Sequence, residues 1–478
     1  ISVFSWRKVA RTQRYAVYMI DSVVNGSLIE AEPTTESGAC ARTSARHTME
    51  IKHSDKKYPP WEHLPKNDAG MPAPLQPPDE GHEGKWRAKA ATPEELDDAM
   101  LKCGLTGNTY LDDSQRHTMR QLLAYTWHMY DPILRPVESP PVGVQFMDPM
   151  QTPIKIPAYR SNAVKLAFMK DMIQEWLRDG IIKPADSPWG FPVVIVPKPM
   201  NRGWRMCVDL RKLNEVIKHD AYMSPRNDDA LVWLAAKRIR STLDIRWGYH
   251  NLMLNEQAQQ IMTFTTPLGS FSYVRLPFGL ATAGALFQRY MNQVLDKWLW
   301  DSVIAVVDDV AIGTATVEEH MTKVIEVVCT LAEKGFSVKV EKMHLFVKEF
   351  IFLGHLSTET GLEATDHLIE AVKNMPIPQA DSEDPKKQLR SFLGMASYAR
   401  KFIKDYAKKS QPLNQLLEKG AAFEWSDKCQ AAWDEIVAAL CEKVGLWSPD
   451  YDQPLYIRTD ACAQGLGAYL FQVIENEK

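Results

Sequence analysis

The chain has 478 residues, 45% hydrophobic and 24% charged, with a formal net charge of −4 and a pI near 6.4. That length suits roughly two to four globular domains, and the charge balance excludes a global basic field, so any nucleic-acid partner must meet a local patch. The seven cysteines are scattered without a CxxC pair, which speaks for reduced thiols in an intracellular protein; the resemblance given below narrows the expected place to a cytoplasmic particle or the nucleus. No apolar run reaches the ~18 residues of a membrane span, and no signal-peptide pattern opens the chain, so no membrane partner is expected. The chain begins at Ile1 and stops shortly after a strand-like run, and is expected to be a piece of a longer protein.

In chain order, residues 1–110 are the least defined. Segment 57–81 carries seven prolines, which resist helix and central strand, and it reads as a linker or disorder. His47, His53, His63 and His82 lack paired ligand spacing and read as solvated side chains, and no Asp-Thr/Ser-Gly triplet supports an aspartic protease. After a lead-in over 111–158, "NAVKLAFMKDMIQEWLRDG" places Val164, Phe168, Met172 and Trp176 on one helical stripe and stops at Gly180. "FPVVIVPKPMNRGWRMCVDLRKLN" reads as two short strands about a Pro/Asn/Gly turn, and "STLDIRWGYHNLML" and "GSFSYVRLPFGL" add more. Residues 285–299 and 317–334 read as helices, and "FSVKVEKMHLFVKEFIFLGHL" as further strands. Antiparallel hairpins mixed with helices argue an α+β fold. Residues 386–410 hold eight Lys/Arg against one Asp, interleaved with Phe392, Tyr398, Phe402 and Tyr406. There the aromatics are expected in the core and the basic face on a phosphate backbone.

Between two of these helices lies "SVIAVVDDVAIGTA", a hairpin with Asp308 and Asp309 at its turn. Aspartate is a good turn residue, so the pair has a purely structural reading. The other reading is a metal site, which needs a third carboxylate. Asp244, in "TLDIRWGY", would supply it if its strand lies beside the hairpin. Three carboxylates are the minimum for two Mg²⁺ ions about 4 Å apart, clamping the oxygens of an in-line phosphoryl transfer.

"SPWGFPVVIVPKPMNRGWRMCVDLRKLN", "LDIRWGYHNLML", "TFTTPLGSFSYVRLPFGL", "ALFQRYMN", "VVDDVAI", "FLGHLST" and "SFLGMASYARKFI" follow the order seen in reverse transcriptases. The chain resembles those of the Pol polyproteins of gypsy-type LTR retrotransposons over roughly residues 111–478. The resemblance implies a right-hand polymerase with fingers and palm over 159–357, thumb and connection over 358–445, and the start of an RNase H-like domain over 446–478. It implies RNA-directed DNA synthesis on an RNA or DNA template with primer, from deoxynucleoside triphosphates, with two Mg²⁺ ions (or Mn²⁺). Asp244, Asp308 and Asp309 match its metal-binding aspartates, and the Ile245 carbonyl would add a ligand. Lys198 and Arg205 match residues on the incoming triphosphate, Tyr249 the aromatic that excludes a 2′-hydroxyl, and Phe278 the residue packed on the nucleotide. Lys342 resembles a lysine that protonates departing pyrophosphate. "FLGHLST" resembles the segment that positions the primer end. Asp460 matches the first RNase H carboxylate, and alone it is expected to support no RNase H activity.

The chain departs from the family pattern in Val306 for Tyr, "IMTF" for Lys-Thr-Ala-Phe, "TAG" for Asn-Ala-Pro, and Asn251 for Gln. These changes spare the carboxylates and alter the pocket around primer and nucleotide. They are the basis of a second reading, a catalytically decayed nucleic-acid-binding relic. An RNA-dependent RNA polymerase is a third, disfavoured by Tyr249.

Overall fold

The computed structural model describes residues 15–19, 59–76 apart from 63, 65 and 68, 89–197 apart from 133 and 136, 203–358, 361–379, 382, 384–442, 446–447, 454–462 and 465–473. The chain divides into two compact units, one of residues 54–230 and 237–347, the other of 1–53, 231–236 and 348–478. Among the described residues, no helix is long and apolar enough to cross a membrane.

The larger unit begins earlier than the sequence suggested. Trp61 and Met71 of the proline-rich stretch are buried in the core, and Trp61 Nε1 donates to Gln121 Oε1 at 3.1 Å. Where it is described, this stretch is therefore packed structure and not a linker: prolines bar regular ladders, not burial. The boundary at 110 likewise falls inside the unit, because helix Pro93–Lys102 buries Leu96, Ala99 and Met100. Its start is a capping box, with Thr92 and Glu95 each accepting the other's backbone N–H and Pro93 at the first position. His47, His53, His63 and His82 lie outside the described residues.

Helix Ala163–Arg178 ends as expected at Gly180, φ +65°, where Ile181 N–H reaches Trp176 C=O at 2.9 Å. Its buried face is rotated from the expected stripe. Met169 and Ile173 are buried, Phe168, Met172 and Trp176 are partly so, and Val164 is exposed, because aromatic and Met side chains reach the core from its flank. The helix leads into a five-stranded sheet in the order Ile182–Pro184, Gly269–Tyr273, Thr263–Thr266, Phe191–Pro197, Trp204–Val208. The last two strands pair antiparallel, as the Pro/Asn/Gly turn predicted.

The second sheet carries the candidate site. Its order is His344–Val347, Ile239–Asp244, Asp309–Thr314, Val303–Val306, all antiparallel. Strand Ile239–Asp244 is buried along its first five residues, as a central strand covered on both faces must be. Helices Ala283–Val294 and Val317–Glu333 pack on this sheet and bury Phe287, Met291, Val324 and Val328.

In the smaller unit, strands Phe350–Phe352, His355–Thr358, Gly361–Ala364 and Leu446–Trp447 form an antiparallel sheet in that order. Its first turn carries Leu353 and Gly354 at φ +47° and +71°, and the Tyr398 hydroxyl donates to Leu353 C=O at 2.6 Å. The basic stretch forms helices Pro385–Tyr398 and Tyr406–Gln415. Phe392 and Phe402 are buried as expected, whereas Tyr398 is exposed and Tyr406 half-buried. Strands Tyr456–Cys462 and Gly465–Val473 form a hairpin joined by Tyr15–Met19, a strand that sequence reasoning missed.

Candidate active site

Strand register brings the carboxylates together. Asp244 ends its strand directly opposite Asp309, which opens the next, and Asp308 occupies the turn between Val306 and Asp309. Ile245 N–H donates to Asp308 C=O at 3.0 Å, which ties the turn to the end of the Asp244 strand. The turn needs Val307 at φ +57°, a conformation that strains a β-branched side chain. Gln288 holds it there. This fully buried side chain accepts Val307 N–H at 2.7 Å and donates to Ala305 C=O at 2.9 Å.

A tight turn follows Asp244, with Trp247 and Gly248 at φ +70° and +48°. Asn251 Nδ2 closes it by donating to Arg246 C=O and Gly248 C=O, both at 2.8 Å. Glycine is favoured at 248 by its φ and not by crowding, since a Cβ there would make ordinary contacts, 3.7 Å from the Phe278 ring and 4.0 Å from Asp308 Oδ2. Tyr249 sits between Phe278 and Phe287, with ring centroids 5.0 and 5.8 Å away. Burial, and then the Asp308 charge, push its hydroxyl pKa up. Phe278 is 55% exposed, so it forms an open aromatic wall beside the carboxylates.

Two cations answer Asp244. Lys342 Nζ lies 2.7 Å from Oδ2, and Lys339 Nζ is paired with Oδ1. The backbone puts Lys339 there, because Ile245 bridges Val338 and Lys339 N–H donates to Asp244 C=O at 3.2 Å. Burial opposes the Asp244 charge, but the two ammonium groups outweigh it and hold the carboxyl below its usual range. The hydrogen bond to Asp244 in turn raises Lys342. Asp309 behaves oppositely: burial, then the Asp308 and Asp244 charges, push it up to about 6 against the opposing lysines.

Among the described residues, no three His, Cys, Asp or Glu side chains form a group placed to hold a metal ion. The three carboxylates are therefore neighbours by register rather than a finished cage. Their chemistry still fits a hard divalent cation: all donors are oxygens, and Asp309 carries charge that its surroundings leave uncompensated. Asp244 would have to exchange a lysine to take part.

Residues 196–356 match the family model described as reverse transcriptase (RNA-dependent DNA polymerase). Residues 425–478 match the RNase H-like domain found in reverse transcriptase. The Drosophila melanogaster Pol polyproteins from transposons 412, opus and gypsy are 32%, 31% and 31% identical over 70%, 75% and 64% of this chain. The chain belongs to the reverse transcriptase family. It spans 28%, 37% and 31% of those three polyproteins' own length. A foamy viral protease-reverse transcriptase solved with an RNA/DNA hybrid shares its fold at a TM-score of 0.66 and 23% identity, over 81% of this chain and 54% of that one. A second form solved with double-stranded DNA gives 0.68 and 24%, over 84% and 70%.

In this chain, Asp244, Ile245, Asp308, Asp309, Tyr249, Phe278 and Lys342 gather around one turn and one hairpin. Arg205 is exposed on the other sheet, opposite Val196, and forms no ion pair among the described residues. Lys198 lies outside the described residues, and Asp460 is in the hairpin of the smaller unit, opposite Gly467. Sequence reasoning missed Lys339 and Gln288. Each left a faint signal: a second lysine three residues before Lys342, and an amide on the helix face that also carries Phe287 and Met291.

Proposed function

We propose that this chain is an RNA-directed DNA polymerase, extending a primer on an RNA or DNA template with deoxynucleoside triphosphates. The single observation that carries the proposal is the register placing Asp244 opposite Asp309, with Asp308 adjoining and the Tyr249–Phe278 wall beside them. Asp244, Asp308 and Asp309, with the Ile245 carbonyl, would hold two Mg²⁺ ions, or Mn²⁺. Bound divalent metal supplies charge neutralisation at the attacking and leaving oxygens. Tyr249 presents its ring beneath the sugar and excludes a 2′-hydroxyl, Phe278 packs on the nucleotide, and Lys198 and Arg205 bind its phosphates. Lys342, kept protonated by Asp244, stands ready to give a proton to departing pyrophosphate. The foamy viral complexes with hybrid and with double-stranded DNA support the choice of partners.

The second reading, a decayed nucleic-acid-binding relic, draws on the lysines that occupy both oxygens of Asp244. Primer extension on an RNA template with Mg²⁺ separates the two. Extension by the parent that falls at least about a hundredfold in Asp308→Asn is the expected result, on the scale of losing a catalytic electrostatic contact. A parent that binds hybrid without extending it is the relic.

A further inference from the structure

The three aspartates are neighbours in register, yet among the described residues they form no group placed to hold a metal ion. The lysines on Asp244 supply a physical reason, and Lys339 is the more firmly built of the two. Val338 bridges Ile245, Lys339 N–H donates to Asp244 C=O at 3.2 Å, and the Lys339 ammonium pairs with Oδ1 of the same aspartate. Backbone and side chain thus hold one residue from both ends. The Lys339 side chain is 35% exposed, against 59% for Lys342, which reaches Oδ2 from the end of the short helix Val340–Lys342. Asp244 itself is 14% exposed, so an ion arriving there meets a carboxylate whose two oxygens are already taken.

Charge points the same way. Three carboxylates against two ammonium groups leave one net negative charge at the site. One divalent ion reverses that sign, and a second would pile like charge into a half-buried setting. Asp308 and Asp309 are half-buried and form no ion pair among the described residues, so the first ion has its place there. An ammonium group on a flexible four-carbon stem can swing away without leaving the chain. The oxygens of a triphosphate would give Lys339 somewhere else to go.

We propose that the Lys339 ammonium keeps the place of one metal ion on Asp244. The nucleotide-free chain then takes a single divalent ion, on Asp308 and Asp309, and Asp244 accepts a second only when Lys339 gives it up. This rests on the metal-binding reading of the three aspartates, and goes beyond it in naming the residue that sets the number of ions.

The experiment counts Mn²⁺ bound to the purified chain without nucleotide or nucleic acid, from the loss of the free-ion paramagnetic resonance signal. Asp309→Asn in each background marks the ions that belong to this site by removing them. Lys339→Met keeps the length of the side chain and removes its charge, Lys339→Arg keeps the charge, and Lys342→Met removes the neighbouring charge. Thermal midpoints in chelator establish that all are folded.

The expected counts are one ion in the parent, two in Lys339→Met, and one in both Lys339→Arg and Lys342→Met. Saturating Mn²⁺ also raises the thermal midpoint of Lys339→Met more than that of the parent, because the second ion replaces the partner that Asp244 has lost. A parent that takes two ions overturns the proposal, as does a count of one in Lys339→Met or a second ion in Lys342→Met. No ion at the site in any of the chains sinks the metal-binding reading itself, whereas failure of the placeholder leaves ions bound in an unchanged number.

Discussion

At the scale of single residues, the site is a contest between charges. Asp309 is a carboxyl whose folded-state pKa stands near 6, above the 3.8 of its free form, so the folded chain holds that proton harder than the unfolded one. The stability this contributes is complete below about pH 4 and is lost as pH rises through about 6. With chelator present, Asp309→Asn should therefore match the parent near pH 4 and exceed it by about 1–3 kcal/mol at pH 7, read by urea denaturation at both values. An Asn variant less stable than the parent at pH 7 would show that Asp309 is held by an unrecognised partner. Lys339 bears on the same balance from the other side. It competes with a cation for Asp244, so Lys339→Met should raise Mn²⁺ affinity about three- to tenfold, measured by calorimetry without nucleic acid. Weaker metal binding in that variant would mean that Lys339 orients Asp244 instead of blocking it.

At the scale of elements, the hairpin Val303–Val306 to Asp309–Thr314 depends on a helix that contributes no carboxylate. Gln288 pairs two backbone groups of a turn strained at Val307, and burial leaves those groups no water to turn to. Gln288→Leu orphans both and should cost about 2–4 kcal/mol by denaturant unfolding, with primer extension falling as the aspartates lose their fixed turn. Gln288→Glu keeps the acceptor for Val307 N–H and should recover part of the activity. Equal loss in both variants would place the importance in the Ala305 bond alone. The same hairpin shows what was legible beforehand. Two β-branched runs around "DD" announced strand, turn and strand, because period and turn chemistry are local properties. Gln288 was not legible, because its partners are 17 and 19 residues away and only packing brings them together.

At the scale of the whole molecule, two compact units are built from interrupted stretches of chain, and the larger one draws on residues long before the first family motif. Trp61 packs on Tyr125 with ring centroids 5.3 Å apart and is 1% exposed. Trp61→Ala should cost about 3–5 kcal/mol, as a large aromatic lost from a core does. Calorimetry would show this as a lower unfolding temperature for the transition of the larger unit. An unchanged midpoint would mean that this segment is an appendage and that the boundary belongs near 110 after all.

What the sequence determined by itself was the chemistry available: three aspartates flanked by β-branched strands, an aromatic five residues after one of them, a basic pair of helices, and motifs in family order. Those features are written in neighbouring residues, so propensity and resemblance reach them. Tertiary structure alone decided which groups meet. Pairing across the sheet set Asp244 against Asp309, a bridge at Val338 delivered Lys339 to Asp244, and core packing claimed Trp61 from a segment whose prolines suggested a linker. Local sequence carries no term for such contacts, because the burial and hydrogen bonding that fix them arise only once the strands have chosen their neighbours.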